Sequence, residues 1–129
     1  MIQQQTKVKV RDNSGAKLVK CIKVLGGFKK KKAFTGDLII VSIIKLRNKF
    51  KITSKVKKGE LYKAVIIRTN KKNKKNKKKD GSYSYFFENS ICLLNNQEKP
   101  IASRIIGPIP KQFKKTRLKL INIASGSFS

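Results

Sequence analysis

The carboxylates and hydroxyls that could carry out acid–base or nucleophilic chemistry are few in this chain. There are six acidic residues and no histidine, so the commonest general base of enzymes is absent. Ser14 is not in a nucleophile elbow, and no histidine is present to activate it. Four carboxylates adjoin glycines or turn-forming residues, where turn capping explains them better than catalysis: Asp12, Asp37, Glu60 and Asp80. We therefore predict no enzymatic activity.

The two cysteines do not form a metal-binding pattern. Cys21 and Cys92 are far apart in the sequence, whereas a zinc site needs about four Cys or His ligands at close spacing. No glycine-rich segment has the spacing of a phosphate-binding loop. We predict no metal and no cofactor, and we expect both cysteines to be reduced residues in hydrophobic strands.

Charge points to a polyanionic partner. The chain has 33 lysines and arginines against 6 acidic residues, a formal net charge of +27. A surface this basic suits nucleic acid or an anionic membrane. No apolar stretch approaches the roughly 18–20 residues that span a bilayer, and the apolar residues alternate as in strands, which disfavours a membrane-surface domain. A small basic chromatin protein remains the alternative nucleic-acid binder.

The positive charge is concentrated in three segments, 29–32, 45–58 and 71–79. We predict that these loops lie along a nucleic-acid backbone, because each neutralised phosphate releases counterions. A group of four aromatic residues follows the third segment. These side chains could stack on unpaired bases or pack against protein, and the sequence does not decide between the two. The four residues are Tyr83, Tyr85, Phe86 and Phe87.

Short segments with strand periodicity are separated by Gly, Asp and Asn turns, which predicts a mainly β fold: a small closed antiparallel barrel within one domain of 129 residues. We predict a basic hairpin extension at 70–80, a break at Gly107-Pro108 and a short helical tail at 111–124. The predicted strands are 6–11, 17–25, 38–46, 61–69, 82–87, 91–94 and 101–106.

Alternation within these segments predicts which side chains point inward. Val8 and Val10 are expected in the barrel interior. In the second strand, Val24 is expected to share a face with Leu18, Lys20 and Ile22. The β-branched run at 38–46 is expected to be buried on both faces.

Several segments, in order along nearly the whole chain, resemble bacterial and organellar ribosomal protein L-fourteen. Asp12-Asn13-Ser14-Gly15-Ala16 and Cys21-Ile22-Lys23-Val24-Leu25-Gly26-Gly27 resemble its opening. The later matches are Gly36-Asp37, Val56-Lys57-Lys58-Gly59, Lys63-Ala64-Val65-Ile66-Ile67-Arg68-Thr69, Asp80-Gly81, Phe86, Asn89, Cys92-Leu93-Leu94-Asn95-Asn96, Pro100-Ile101, Arg104-Ile105 and Gly107-Pro108.

The resemblance implies a five-stranded β-barrel with a projecting β-ribbon and two short helices near the C-terminus. It implies a structural constituent of the large ribosomal subunit, which binds large-subunit rRNA and lies at the subunit interface. The implied partners are small-subunit rRNA at an intersubunit bridge, neighbouring large-subunit proteins and a ribosome-silencing factor. No membrane or small-molecule substrate is expected.

Together, the basic segments and the resemblance predict two sets of functional residues. The rRNA-binding set is Asn13, Ser14, Lys23, Lys29, Lys30, Lys31, Lys32, Arg47, Lys49, Lys51, Lys55, Lys57, Lys58, Arg68, Lys71 and Lys72. The set at the intersubunit or protein interface is Ser103, Arg104, Lys111 and Lys114. Arg104 is the principal interface prediction, because Ser103-Arg104 falls where the family usually has Thr-Arg.

The sequence departs from the family pattern in three places. The segment 70–79 is longer and richer in lysine than usual, 45–55 lacks the Pro-Arg-Gly of many relatives, and the ending at 125–129 differs. The high content of Lys, Asn and Ile, without His or Trp, suggests AT-rich coding. Because no transit segment is recognisable, we expect an organelle-encoded protein of the mitochondrial ribosome, with a plastid or an AT-rich bacterium as alternatives.

Overall fold

The alternating side chains of the N-terminal segment form one wall of a barrel in the computed structural model. The structure describes residues 2–26, 31–33, 36–47, 56–69, 88–101, 105–110 and 124–128; for 106–110 and 124–128 only the backbone is considered. Within these ranges all regular elements are strands. They are β1 (Ile2–Gln3), β2 (Lys7–Val10), β3 (Ala16–Val24), β4 (Lys32–Ala33), β5 (Leu38–Leu46), β6 (Leu61–Arg68), β7 (Ser90–Leu94), β8 (Ile105–Pro110) and β9 (Ala124–Phe128).

Five strands form a closed barrel in the order β2-β3-β5-β6-β7, which confirms the predicted fold class. Neighbouring strands are antiparallel except at the closure, where β2 and β7 are parallel with Lys9 opposite Ser90 and Val10 opposite Ile91. Since strand direction alternates around an odd number of strands, the first and the last run the same way. Closure leaves the barrel without exposed sheet edges.

The barrel interior is filled by aliphatic side chains. Val8 and Val10 are buried, as predicted, with Val19, Ile39 and Ile66 among their neighbours in the same core cluster. Removing each such side chain from water contributes about 1.5–3 kcal/mol. This core fixes which face of every barrel strand is available to solvent.

The prediction that Val24 shares a face of β3 with Leu18, Lys20 and Ile22 is wrong. Val24 is buried in the same interior cluster as Val19 and Cys21, while Leu18, Lys20 and Ile22 are only half-buried. The pairing of β3 with β5 shifts register between Cys21 and Lys23. Such an irregularity inserts a residue into one strand and reverses the alternation beyond it.

The strand β5 is not buried on both faces, contrary to prediction. Ile39, Val41 and Ile43 point into the core, whereas the alternate residues are half-buried or exposed. The strands buried on both faces are β6, from Ala64 onward, and β7. A second apolar cluster lies on the outer side of these strands, and Ile105 of β8 packs over it. The buried members of this cluster are Val65, Ile67, Cys92, Leu94 and Ile105.

The C-terminal prediction needs a correction. The predicted strand end and break at Gly107-Pro108 are wrong, because β8 continues through both residues and pairs in parallel with β9. Proline is tolerated in edge strands, and the β8–β9 sheet has two strands. Of the predicted helical tail, 111–123 lies outside the described residues, and Ala124 begins β9. The predicted hairpin at 70–80 and the strand at 82–87 also lie outside them.

Candidate nucleic-acid interface

The turn that follows β2 is held together by a buried carboxylate. Asp12 is fully buried, and its Oδ1 accepts hydrogen bonds from the Ser14 amide at 3.1 Å and from Ser14 Oγ at 2.5 Å. Its Oδ2 accepts one from the Leu93 amide of β7 at 3.0 Å. The expected role of Asp12 in turn capping is confirmed, and the carboxylate also ties the turn to the strand that closes the barrel.

This turn positions an arginine at the end of β5. The Arg47 amide donates to the Gly15 carbonyl at 2.9 Å, and Arg47 Nη2 donates to the Val10 carbonyl at 3.3 Å. The guanidinium is therefore fixed beside β2 even though it comes from a distant part of the sequence. A pre-positioned guanidinium loses less conformational entropy when it binds an anion.

A second turn brings a lysine to the same place. Gly59 adopts φ +86°, a backbone conformation that residues with a Cβ rarely adopt, and its amide donates to the Ile43 carbonyl at 2.9 Å. Val56, just before the turn, is buried in the core. Lys58 is thereby held against the outer face of β5, and Lys57 is exposed beside it.

Together these elements form a groove of about 1010 Å³ on the outer face of β2, β3 and β5. Six of its lining residues are cationic, four are aliphatic and none is acidic. We call it the cationic groove. The cations are Lys9, Arg11, Lys17, Lys45, Arg47 and Lys58, and the aliphatic residues are Val10, Leu18, Ile44 and Leu46.

A carboxylate at the margin of the cationic groove neutralises part of this charge. Glu88 Oε1 lies 2.6 Å from Arg11 Nη2, and Glu88 Oε2 lies 3.1 Å from Lys9 Nζ. Burial opposes ionisation of Glu88, but the hydrogen bonds and positive charges of Arg11 and Lys9 outweigh it and lower the pKa of Glu88. The carboxylate is therefore ionised at neutral pH.

The buried Arg68 lies in the same electrostatic environment. Its pKa is lowered by burial and by the charge of Arg11, while Glu88 acts in the opposite direction. Only 7% of Arg68 is exposed. It therefore offers little surface to a partner, and it acts mainly through the electrostatic influence that it shares with Arg11 and Glu88.

The structure brings only part of the predicted rRNA-binding set together. Arg47 and Lys58 line the cationic groove. Lys23 is exposed on β3, six residues from Lys17 and roughly 20 Å along the strand. Ser14 is 1% exposed and bonded to Asp12, so its side chain is part of the fold, and Asn13 is half-buried.

The other predicted residues lie elsewhere. Lys31 and Lys32 are exposed at β4, which pairs with β1 and not with the barrel. The remaining predicted site residues lie outside the described part of the chain: Lys29, Lys30, Lys49, Lys51, Lys55, Lys71, Lys72, Ser103, Arg104, Lys111 and Lys114.

Three cations of the groove were missed by sequence reasoning, namely Lys9, Arg11 and Lys17. Lys45 lies in the predicted basic segment 45–58, although it was not in the predicted rRNA-binding set. A signal was available for Lys9 and Arg11. The cationic residues of β2 alternate with Val8 and Val10, so a buried valine face requires an exposed cationic one. The prediction favoured runs of consecutive lysines instead, which have no such alternation.

The described residues include two buried thiols and no cluster of potential metal ligands. No group of three or more His, Cys, Asp or Glu side chains that could hold a metal is present among them. Both cysteines are buried thiols with a raised pKa: burial is the main cause for each, and the charge of Asp12 adds to it at Cys92. No helix within the same ranges is long and apolar enough to cross a membrane.

The barrel and its cationic groove define a small basic β-barrel protein whose surface suits a polyanion. The sequence model of a protein family, described as ribosomal protein L14p/L23e, matches residues 1–128. The chain therefore belongs to the ribosomal protein L14p/L23e family. Membership implies a structural protein of the large ribosomal subunit, not an enzyme, which associates with rRNA and ribosomal proteins.

Proposed function

We propose that this protein binds large-subunit rRNA through the cationic groove and thereby helps to hold the rRNA in place during translation. The single observation that carries the proposal is that six cations from four separate segments line one groove without an acidic neighbour in its lining. Phosphate neutralisation by Lys and Arg supplies most of the affinity in such contacts. The aliphatic part of the lining packs without hydrogen bonds, and the cations match the regularly spaced phosphates of the backbone.

The basic loops at 29–32, 45–58 and 71–79 extend this surface in the proposal. Lys31, Lys32 and Lys57 are exposed, as backbone contacts require. At the subunit interface, we assign contacts with small-subunit rRNA and a ribosome-silencing factor to Ser103, Arg104, Lys111 and Lys114. This assignment is supported by the family resemblance at Arg104-Ile105 and Gly107-Pro108.

Binding of the intact chain to a large-subunit rRNA transcript tests the groove. The double variant Lys17→Gln/Lys45→Gln removes two groove cations, and Lys7→Gln/Lys99→Gln removes two exposed lysines outside the groove lining. We expect the slope of log K against log salt to fall by about 0.7–0.9 per lost phosphate contact in the groove variant, and clearly less in the control. Equal slopes for both variants would refute the groove as the interface.

Sucrose-gradient sedimentation distinguishes a ribosomal protein from another nucleic-acid binder such as a chromatin protein. We expect the protein to sediment with the large subunit at moderate salt, and the groove variant to be released at lower salt than the control. A protein found free of the large-subunit peak would contradict the ribosomal assignment.

We further propose that the protein belongs to the mitochondrial ribosome and is organelle-encoded. The support is a composition rich in Lys, Asn and Ile without His or Trp, as AT-rich coding produces. Pulse labelling while cytosolic translation is inhibited should yield labelled protein in the mitochondrial fraction. Label in a plastid fraction would favour the plastid alternative, and loss of label would exclude an organelle-encoded origin.

A further inference from the structure

One carboxylate bridges two cations of the groove. Glu88 Oε1 accepts from Arg11 Nε at 2.8 Å and lies 2.6 Å from Arg11 Nη2, and Glu88 Oε2 accepts from Lys9 Nζ at 3.1 Å. Both cations line the groove, whereas Glu88 does not. The two oxygens of one anion thus face two different cations.

Barrel closure places this carboxylate. The parallel pairing of β2 with β7 sets Lys9 opposite Ser90, two residues after Glu88, and the Arg11 amide donates to the Ile91 carbonyl at 3.2 Å. Glu88 is therefore delivered to the margin of the groove by the rigid frame of the barrel. Its side chain stays 32% exposed, with Arg11 at 31% and Lys9 at 58%, so all three are open to an incoming ligand.

We infer that the position of the Glu88 carboxylate between Arg11 and Lys9 is a phosphate-binding subsite, in which a phosphodiester of the RNA replaces the carboxylate. Arginine pairs with carboxylate and with phosphate through the same fork geometry. The inference rests on the proposed function and adds to it: Glu88 acts as an internal counterion, which shields two of the six groove cations until RNA displaces it.

The charges around the carboxylate favour such an exchange. Lys9 and Arg11 together carry one positive charge more than the carboxylate neutralises. The charges of Arg11 and Glu88 also act on the pKa of the buried Arg68. A partly exposed ion pair is weakly held, because water and salt screen it. The positive charge that the carboxylate leaves unneutralised attracts a further anion. When the other groove cations hold one part of an RNA strand, a further phosphodiester of the same strand has a high effective concentration at this subsite.

The test compares two variants with the same change in net charge. Glu88→Gln removes the counterion, and Glu98→Gln removes an exposed carboxylate on the turn at 95–99. With the large-subunit rRNA transcript at ~0.1 M salt, we expect Glu88→Gln to bind about five- to eightfold more tightly than wild type. The phosphate contact at the subsite, which releases about 0.7–0.9 counterion, then no longer has to displace a carboxylate. Glu98→Gln should change the affinity less than twofold, since its effect is long-range and screened.

A double-mutant cycle separates competition from a purely structural role. Lys9→Gln should reduce affinity more in the Glu88→Gln background than in wild type, because in wild type the gain from the Lys9–phosphate contact is partly offset by the loss of the Lys9–Glu88 ion pair. Equal effects in both backgrounds, equal affinities of the two glutamate variants, or weaker binding by Glu88→Gln would overturn the inference while leaving the groove proposal intact. Wild-type binding that is insensitive to salt would overturn both.

Discussion

The Asp12 carboxylate accepts a hydrogen bond from the backbone amide of Leu93, 81 residues away in the sequence, at 3.0 Å. Both residues are fully buried. The bond joins the turn after the first barrel strand to the last barrel strand. The Asp12 side chain, which was expected to cap a local turn, therefore also stabilises the closure of the barrel between β2 and β7.

Replacing Asp12 tests how much this hydrogen bond at the barrel closure contributes to stability. Asp12→Ala leaves the Ser14 and Leu93 amides without their acceptor, and each unsatisfied buried donor costs roughly 1–3 kcal/mol. We expect the free energy of unfolding to fall by about 3 kcal/mol or more in urea titrations. Ser14→Ala, which loses only the Oγ bond to Asp12, should cost about 1–2 kcal/mol. Equal losses for the two variants would show that the bond to Leu93 contributes little.

Adjacent residues of β6 should be equally sensitive to truncation. Ile66 belongs to the barrel core and Ile67 to the outer cluster, and both are fully buried. Ile66→Ala and Ile67→Ala should each lower the free energy of unfolding by about 2–5 kcal/mol. Leu61→Ala, at a residue that is 62% exposed, should change it by less than about 0.5 kcal/mol. A small effect at Ile67 alone would mean that β8 does not cover β6.

The two thiols should be protected in the native protein, and Cys92 more so than Cys21. Burial raises the pKa of both, and the Asp12 charge raises that of Cys92 further. We expect slow alkylation by iodoacetamide at pH 8, followed by mass spectrometry, and rapid alkylation in urea, because the thiolate is the nucleophile. Rapid native labelling of Cys92 would contradict its burial.

The same thiols predict an alkaline loss of stability. A raised thiol pKa means that the folded state holds its proton at a pH where the unfolded state has released it. The stabilising contribution is present below the unfolded pKa and decreases as pH rises above it. The free energy of unfolding should therefore fall with pH in this alkaline range, and Cys92→Ala should reduce the slope.

The Glu88 ion pairs should contribute little to stability. Their side chains are about one third exposed or more, and such pairs are worth about 0–1 kcal/mol. Because the pKa of Glu88 is lowered, this contribution is present above the unfolded pKa of glutamate and is lost as pH falls through the folded pKa. The difference in stability between wild type and Glu88→Gln should therefore be small at pH 7 and vanish in acid.

The turn at Gly59 should require glycine for conformational reasons alone. Its φ is +86°, and no atom beyond its two chain neighbours lies within 4 Å of the position that a Cβ would occupy. Gly59→Ala should cost about 1–2 kcal/mol from the left-handed backbone conformation. It should also weaken RNA binding if Lys58 depends on this turn. A variant with wild-type stability would show that the turn tolerates a side chain.

Composition and local pattern were enough to specify the chemical class of the protein and most of its strands. Net charge and the missing histidine depend on composition, and the alternation of Val8 and Val10 is a local property of the chain. The ordered family segments predicted a closed five-stranded barrel, and the structure confirms it. Charge class and strand periodicity could be predicted because composition or neighbouring residues alone specify them. The number of barrel strands was predicted only by the family resemblance.

Features that depend on distant strands became visible only in the folded barrel. The register shift in β3 moved Val24 inward, and the cover of β8 over β6 made both faces of that strand apolar. The pairing of β2 with β3 and of β3 with β5, together with the turn at Gly59, gathered Lys9, Lys17, Lys45 and Lys58 around one groove. Barrel closure set Glu88 against Lys9 and Arg11. The physical reason is that strand pairing sets which residues meet across the sheet, and periodicity within one strand carries no information about its partner.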